Sequence, residues 1–191
     1  LAVARLKFEF MNNAQALIHG DLHTGSIFVK QDSTRVFDPE FAFYGPMGYD
    51  IGNVVANLIF AWDNGRAAGA EAFCRWALDA IRDTIDLFRE KFVKCFDECV
   101  TEPMAKVPGF REFYLDSILS DTAGYAGTEL HRRTVGMAQV KDVTTIADPE
   151  KRAHAERVNI ICGKDYILNR TEFKTGADFV NAVLRADKAA E

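Results

Sequence analysis

One short stretch of this chain interrupts an otherwise helical pattern, and it limits the folds that the chain can adopt. Residues 27–29 predict a short buried strand, and residues 36–37 begin a second strand that the following Asp-Pro pair ends. The letters "QDST" between them predict a turn, so the two strands form a hairpin. Because a hairpin brings its two ends together, we expect the flanking segments 19–26 and 38–40 to lie close in space.

The remainder of the chain predicts helices. One apolar stripe recurs at helical spacing through Ile51, Val54, Val55, Leu58, Ile59 and Trp62. A first helix is predicted over residues 1–12, and a long one after a connection at 63–69, with a break near "EPMAKVPG". Further helices are predicted over about 110–140, over 149–168 and from 176 to the end. The predicted fold is therefore mostly α with a short β-hairpin.

Composition excludes some classes of partner. The chain has 191 residues, enough for one domain or one lobe of a larger protein, and its net charge of −5 argues against nucleic acid or an anionic membrane as partner. Charged residues interrupt every apolar run before it reaches membrane-spanning length. Cys74, Cys95, Cys99 and Cys162 form no CxxC pair, which favours reduced core thiols in a cytosolic protein over a zinc site.

The chemistry that the sequence suggests lies in the two segments flanking the hairpin, "LIHGDLHTGS" and "DPEFAFYGPMGYD". Phosphoryl transfer needs one carboxylate to accept a proton from the attacking hydroxyl and others to hold Mg²⁺ on the phosphates. Asp21 suits the first role, and Asp38 and Glu40 suit the second. Ser26 could add a hydroxyl ligand to the metal or a hydrogen bond to the loop. Each motif alone is more often a turn, but together they have the layout of a kinase catalytic core.

The longer strings are more specific. "HGDLHTGSI" followed by "DPEFAFYGPMGYDIGN" resembles the catalytic and metal-binding segments of the methylthioribose kinase family, within the aminoglycoside phosphotransferase and choline kinase group. Ser26 stands where most of that group has Asn. "GTELHRRTVGMAQVKDV" resembles the segment of this family that carries a twin arginine. The resemblance implies a protein-kinase-like fold and the ATP-dependent phosphorylation of 5-methylthioribose on its 1-hydroxyl, a step of methionine salvage.

The resemblance also implies roles for individual residues. The catalytic loop would be residues 18–27, in which Asp21 orients the acceptor hydroxyl as the base. The metal-binding loop would be residues 38–50, in which Asp38 holds Mg²⁺ and Glu40 assists with metal or phosphate.

Supporting roles follow for five other residues. Arg132 and Arg133 would bind the substrate or the transferring phosphate, although a twin arginine in an arbitrary helix is more often a solvated pair. His19 would support the loop, and His23 faces either the substrate or solvent. Asp50 would accept hydrogen bonds from the catalytic-loop backbone, and a plain helix N-cap is an equally good interpretation of it.

By the same resemblance, residues 1–191 would be the C-terminal lobe of such a kinase, with residues 51–191 as its helical body. No glycine-rich loop and no strand lysine of the nucleotide-binding lobe occurs in the sequence. We therefore expect a cut chain that lacks the N-terminal lobe, exposes an apolar interlobe face and has negligible activity alone. A homodimer of the intact enzyme remains open.

Three other interpretations remain. The first is a kinase of the same fold acting on an aminoglycoside, choline or homoserine. The second is a metal-dependent hydrolase with a ligand set formed by His19, Asp21, His23, Asp38 and Glu40. The third is a decayed lobe kept for binding or regulation.

Overall fold

The computed structural model describes all of residues 1–191. Two small antiparallel sheets lie near the start of the chain, and helices make up most of the rest. In chain order the elements are α1 (Ala2–Asn12), β1 (Ala16–Ile18), β2 (Ile27–Lys30), β3 (Ser33–Val36), β4 (Phe43–Gly45), α2 (Met47–Ala68), α3 (Glu71–Cys99), α4 (Phe110–Val135), α5 (Lys141–Thr144), α6 (Pro149–Leu168) and α7 (Gly176–Ala189). Short 3₁₀ turns occupy Thr24–Ser26, Pro103–Lys106 and Arg170–Glu172.

The predicted hairpin is present as β2 and β3, but its turn is tighter than the sequence suggested. Lys30 pairs with Ser33, so only two residues form the turn and the "ST" of "QDST" belongs to the strand. The prediction that the first strand is buried was wrong, because Phe28 is exposed and Val29 is 75% exposed. Phe28 instead stacks on Phe37, with their ring centroids 4.4 Å apart.

A second strand pair was not predicted. β1 pairs with β4 through a register that sets Leu17 opposite Tyr44, and β4 lies inside residues 38–50, which were expected to form a loop. Three-residue strands next to Gly45 and Pro46 give too short a pattern to recognise. Their pairing has a consequence for the site, because it brings the residues after β1 close to the residues that begin α2.

Helix α2 begins at Met47, earlier than predicted, so Asp50 lies inside the first turn and is not the N-cap. Gly48, a residue type that disfavours helix by itself, lies in the first turn of α2, where α4 packs closely against it. A Cβ at Gly48 would lie 2.6 Å from the backbone nitrogen of Thr122, which no ordinary contact allows. The helix also continues through residues 63–68, which were predicted to form a connection, and Asp63 and Gly65 are buried there.

The later helices follow the sequence more closely. Helix α4 ends at Val135 instead of near residue 140, since Gly136 takes an extended conformation. Helix α6 has the predicted bounds, and its N-cap Asp148 accepts hydrogen bonds from the backbone nitrogens of Glu150 at 2.9 Å and Lys151 at 3.2 Å. Helix α7 begins at Gly176 as predicted, after a capping box at Thr175 and Asp178.

The hydrophobic core lies between the helices. Its main cluster comes largely from α2, α3, α4, α6 and α7, with fully buried members such as Val55, Ile59 and Phe179. The prediction of a mostly helical fold with a short hairpin is confirmed. The sheets contribute little to this core, and Ile18 is the one buried hydrophobic side chain of their strands.

An arginine clamp ties α1 to the middle of the body. Arg170 donates to both carboxylate oxygens of Glu9, each at 2.6 Å, and to Asp121 Oδ1 at 3.1 Å. Burial of Asp121, together with the charge of Glu9, raises the pKa of the Asp121 carboxyl to about 6. We call these three residues the Arg170 clamp.

All four cysteines are free, as predicted, but only Cys74 and Cys162 are core residues, while Cys95 and Cys99 are exposed. None of the helices is both long enough and apolar enough to form a membrane span.

Candidate active site

The segment predicted to be the catalytic loop is held in place by Asp50. Its carboxylate accepts hydrogen bonds from the backbone nitrogens of His19, at 2.6 Å, and Gly20, at 3.1 Å. Gly20 has φ +83°, and a Cβ there would lie 2.2 Å from the carbonyl oxygen of Phe41. Only glycine fits such a position without strain. The first turn of α2 therefore fixes the backbone that carries Asp21.

The His19 side chain joins the two loops that flank the hairpin. Its Nδ1 accepts the backbone N–H of Asp21 at 3.3 Å, so Nε2 carries the proton and donates to the carbonyl oxygen of Phe37 at 2.8 Å. Phe37 immediately precedes Asp38. The predicted closeness of the segments on either side of the hairpin is therefore present in the structure. With both ring nitrogens bonded to backbone, His19 acts as a support of the loops.

Asp21 projects into the open part of the site. Its side chain is 44% exposed, and its Oδ2 lies 3.8 Å from Nε2 of His23. The Nδ1 of His23 accepts the backbone N–H of Gly25 at 3.0 Å, which leaves the proton on Nε2, facing the carboxylate. An accessible carboxylate with a neighbouring donor can receive and orient a hydroxyl group.

Ser26 lies on the inner side of the same loop. It is buried, and its hydroxyl donates to the carbonyl oxygen of Asp21 at 3.3 Å. Of the two roles that the sequence left open, this geometry favours the hydrogen bond to the loop over a metal ligand.

Asp38 and Glu40 are both exposed, and their carboxylates make no hydrogen bond or ion pair within the chain. Asp38 has φ +68°, the only positive value at a residue other than glycine, which Asp tolerates better than most side chains. No group of three His, Cys, Asp or Glu side chains is arranged to hold a metal ion. The structure thus does not assemble the hydrolase ligand set proposed as an alternative. Two free carboxylates still fit Mg²⁺, which commonly takes one or two of them together with substrate phosphates.

The twin arginine is organised by a residue that sequence reasoning missed. Glu129, with a side chain only 7% exposed, accepts hydrogen bonds from Nε of Arg132 at 2.7 Å and from Nε of Arg133 at 2.8 Å. Both arginines are therefore held to one buried carboxylate, although the Arg132 side chain is still 51% exposed. A carboxylate three and four residues before two arginines is a recognisable helical pattern, and it could have been found.

The pKa values of Arg132 and Tyr49 are both raised by their surroundings. The hydrogen bonds to Glu129 raise the pKa of Arg132, and the charges of Tyr49 and Asp21 add to that effect. Burial raises the pKa of Tyr49, which also responds to Glu129, Arg132 and Asp21.

Comparison with known proteins supplies independent information. Residues 4–86 match the sequence profile of the phosphotransferase enzyme family. The chain is 41% identical to methylthioribose kinase 1 of Oryza sativa subsp. japonica, over 92% of this chain and 44% of that protein. It is 38% identical to the methylthioribose kinase of Bacillus pumilus over 93% of this chain and 44% of that protein. It is 42% identical to the enzyme of Erwinia tasmaniensis, with 88% and 43% covered. The chain spans less than half the length of these relatives.

Proposed function

We propose that this chain, a homologue of the methylthioribose kinases, forms the part of such an enzyme that binds the acceptor and the metal ion. The reaction would transfer the γ-phosphoryl group of ATP to the 1-hydroxyl of 5-methylthioribose. One observation supports this most strongly. Asp50 braces the backbone next to an accessible Asp21, while His19 fastens that loop to the segment that carries Asp38.

Asp21 would act on the acceptor. In the proposed step the 1-hydroxyl oxygen forms a bond to the γ-phosphorus, the bond from that phosphorus to ADP breaks, and the hydroxyl proton passes to the Asp21 carboxylate. The Nε2–H of His23, which faces Oδ2 of Asp21, would help to orient the carboxylate and the sugar. General-base assistance of this kind typically contributes about 10²–10⁴-fold to the rate.

Two groups of residues would help to neutralise the negative charge of the phosphates. Asp38 and Glu40 would hold Mg²⁺, which neutralises the phosphate oxygens of ATP when it is bound. Arg132 and Arg133, held by Glu129, would contact the acceptor or the transferring phosphoryl group through the N–H donors that Glu129 leaves free.

Residues 1–191 would have negligible kinase activity alone. The glycine-rich loop and strand lysine that bind nucleotide in kinases are not among these residues. Without that binding, the positioning that gives much of the rate of phosphoryl transfer is missing. The apolar side chains exposed on the hairpin, including Phe28, Val29 and Val36, suit contact with a nucleotide-binding lobe.

A chimera tests the proposal. The part of the Bacillus pumilus relative that precedes its matching segment would be fused to residues 1–191, and phosphorylation of methylthioribose would be measured beside the unfused chain. We expect turnover that depends on Mg²⁺ and ATP in the chimera and none in the chain alone. Turnover at an ordinary rate by the unfused chain would refute the proposal that residues 1–191 need a nucleotide-binding lobe for activity.

The same chimera separates the alternatives. A panel of methylthioribose, choline, homoserine and an aminoglycoside would identify a different acceptor if one of the last three were preferred. A folded chimera that phosphorylates none of them would support a lobe that has lost catalysis. Measuring the molecular mass of that chimera in solution would show whether it forms a homodimer.

A further inference from the structure

A cavity lies at the C-terminal end of α2. Its volume is about 250 Å³, and its polar lining comes from Asp63, Arg66, Lys151, His154 and Asp187. Asp63 is thirteen residues beyond Asp50, which corresponds to about 20 Å along the helix axis. The cavity is therefore separate from the candidate active site at the other end of α2.

The inner wall of this cavity presents a buried carboxyl group with unused hydrogen-bonding capacity. Asp63 is 2% exposed, and its Oδ2 has no hydrogen-bond partner. Burial raises the pKa of Asp63 well above its usual range, although the neighbouring Asn159 opposes this shift. The amide of Asn159, which lies beside Asp63, is also fully buried, and its nitrogen and oxygen form no hydrogen bond of regular geometry. Buried polar atoms in folded proteins nearly always have partners, so this wall is suited to accept a donor from a ligand.

The rim of the cavity carries cationic groups. Arg66 donates to both carboxylate oxygens of Asp187, at 2.9 and 2.7 Å, and Nε2 of His154 lies 2.9 Å from Asp187 Oδ1. Lys151 donates to the carbonyl oxygen of Ala67 at 2.7 Å. Arg66 and His154 thus share the Asp187 carboxylate, whereas Lys151 is bonded only to a backbone carbonyl. Nε and Nη1 of Arg66 and two protons of Lys151 remain available for an anion.

The buried carboxyl group of the inner wall and the cations of the rim together suit a ligand with a hydrogen-bond donor at one end and an anionic group at the other. We propose that the cavity binds a small free α-amino acid, with its ammonium group on Asp63 and its carboxylate on Arg66 and Lys151. An ammonium group would also supply the positive charge that favours an ionised Asp63. A simple anion would leave Asp63 without a partner, and a simple amine would leave the rim unused.

The dimensions agree with this ligand class. Asp63 and Arg66 are three residues apart on one face of α2, so their Cβ atoms lie about 5–6 Å apart. That spacing suits two polar groups on adjacent carbon atoms, each reached through a hydrogen bond. At about 30 Å³ per water molecule, the cavity has the volume of roughly eight waters, enough for an amino acid with a short side chain. Ala67, which is partly exposed in the lining, provides apolar surface for that side chain.

Calorimetric titration of the 191-residue chain tests the proposal. The probes are L-alanine, L-valine and L-methionine, each beside the amine that lacks its carboxylate and the acid that lacks its amino group. We expect at least one amino acid to bind about tenfold or more tighter than both of its analogues, because each analogue loses one charged hydrogen bond. No binding by any amino acid at about 10 mM, or equal binding by either analogue, would overturn the proposal.

Two variants and a matched control locate the site. Lys151→Met and Asp63→Asn should each weaken binding by about tenfold or more, since each removes one charged contact. Lys164→Met makes the same substitution on the exposed side of the same helix and should leave binding within about twofold, because Lys164 has no partner in the chain. If Asp63→Asn does not fold, the exposed Lys151 still decides the matter. Unchanged binding by Lys151→Met would place the ligand elsewhere.

Discussion

The hairpin region exposes most of its large apolar side chains, whereas the helical body buries them. Between residues 16 and 45 most large apolar side chains are exposed, and Asp38 and Glu40 make no contact that would hold their carboxylates. In the body, Ile59 and its neighbours on α2 are fully enclosed. The groups proposed to do chemistry therefore lie on a thin and open region, and stability resides in the helices behind it.

The largest expected effect is on kcat, and it comes from changing one atom of Asp21 in the open region. Asp21→Asn in the chimera should lower kcat by about 10²–10⁴-fold, because an amide cannot accept the hydroxyl proton. Its urea midpoint should be unchanged, since the Asp21 side chain is exposed and pairs only weakly with His23. Asp32→Asn, in the hairpin turn, serves as the matched control and should be silent in both measurements. Activity of Asp21→Asn within about tenfold of the parent would show that the base is another residue.

The second-largest effect is expected in the helical body, where a substitution should lower stability. Ile59→Ala should lower the free energy of unfolding by about 2–5 kcal/mol, because it removes buried methyl and methylene groups and leaves a cavity. Urea unfolding of the 191-residue chain measures this directly. Val29→Ala, on the exposed hairpin strand, is the control and should change that free energy by less than about 0.5 kcal/mol. Similar losses from both variants would mean that the hairpin is covered by other chain in solution.

The smallest effect is expected on KM, from a substitution at Glu129 beside the twin arginine. Glu129→Gln keeps the shape of the side chain but removes the charge that holds Arg132 and Arg133. We expect the KM for methylthioribose in the chimera to rise by about three- to tenfold, because charge-assisted hydrogen bonds are stronger than neutral ones. Glu156→Gln removes the same charge from a surface pair with Arg152 and should leave KM unaltered. A fall in kcat without any change in KM would instead place the arginines on the transition state alone.

Much of the helical body follows from the sequence because long amphipathic patterns determine it. Helix α6 has its predicted bounds, and the hairpin was found from its turn and its apolar residues. The start of α2 was missed because Gly48 signals a break locally, whereas in the fold it admits the backbone of α4. That tertiary reason cannot be recognised in the letters around it.

The candidate site shows the same limit. The residues of the two loops could be selected from sequence, and Asp50 was named with two interpretations. Its partners, the backbone nitrogens of His19 and Gly20, depend on the pairing of β1 with β4, which is too short to predict. Glu129 had a usable signal in its spacing from the arginines, but its burial against the site is a property of the packed helices.

The Arg170 clamp connects the last part of the chain to the segment that precedes the candidate catalytic loop. Residues 167–191 contain no recognised motif of the family and no residue proposed for catalysis. Yet Arg170 grips Glu9 on α1 and Asp121 on α4, and Asn13, which follows α1, donates to Asp121 at 3.4 Å just before the chain enters β1 and His19. Through these contacts the C-terminal segment holds α1 against α4 immediately before the chain enters β1 and the candidate catalytic loop.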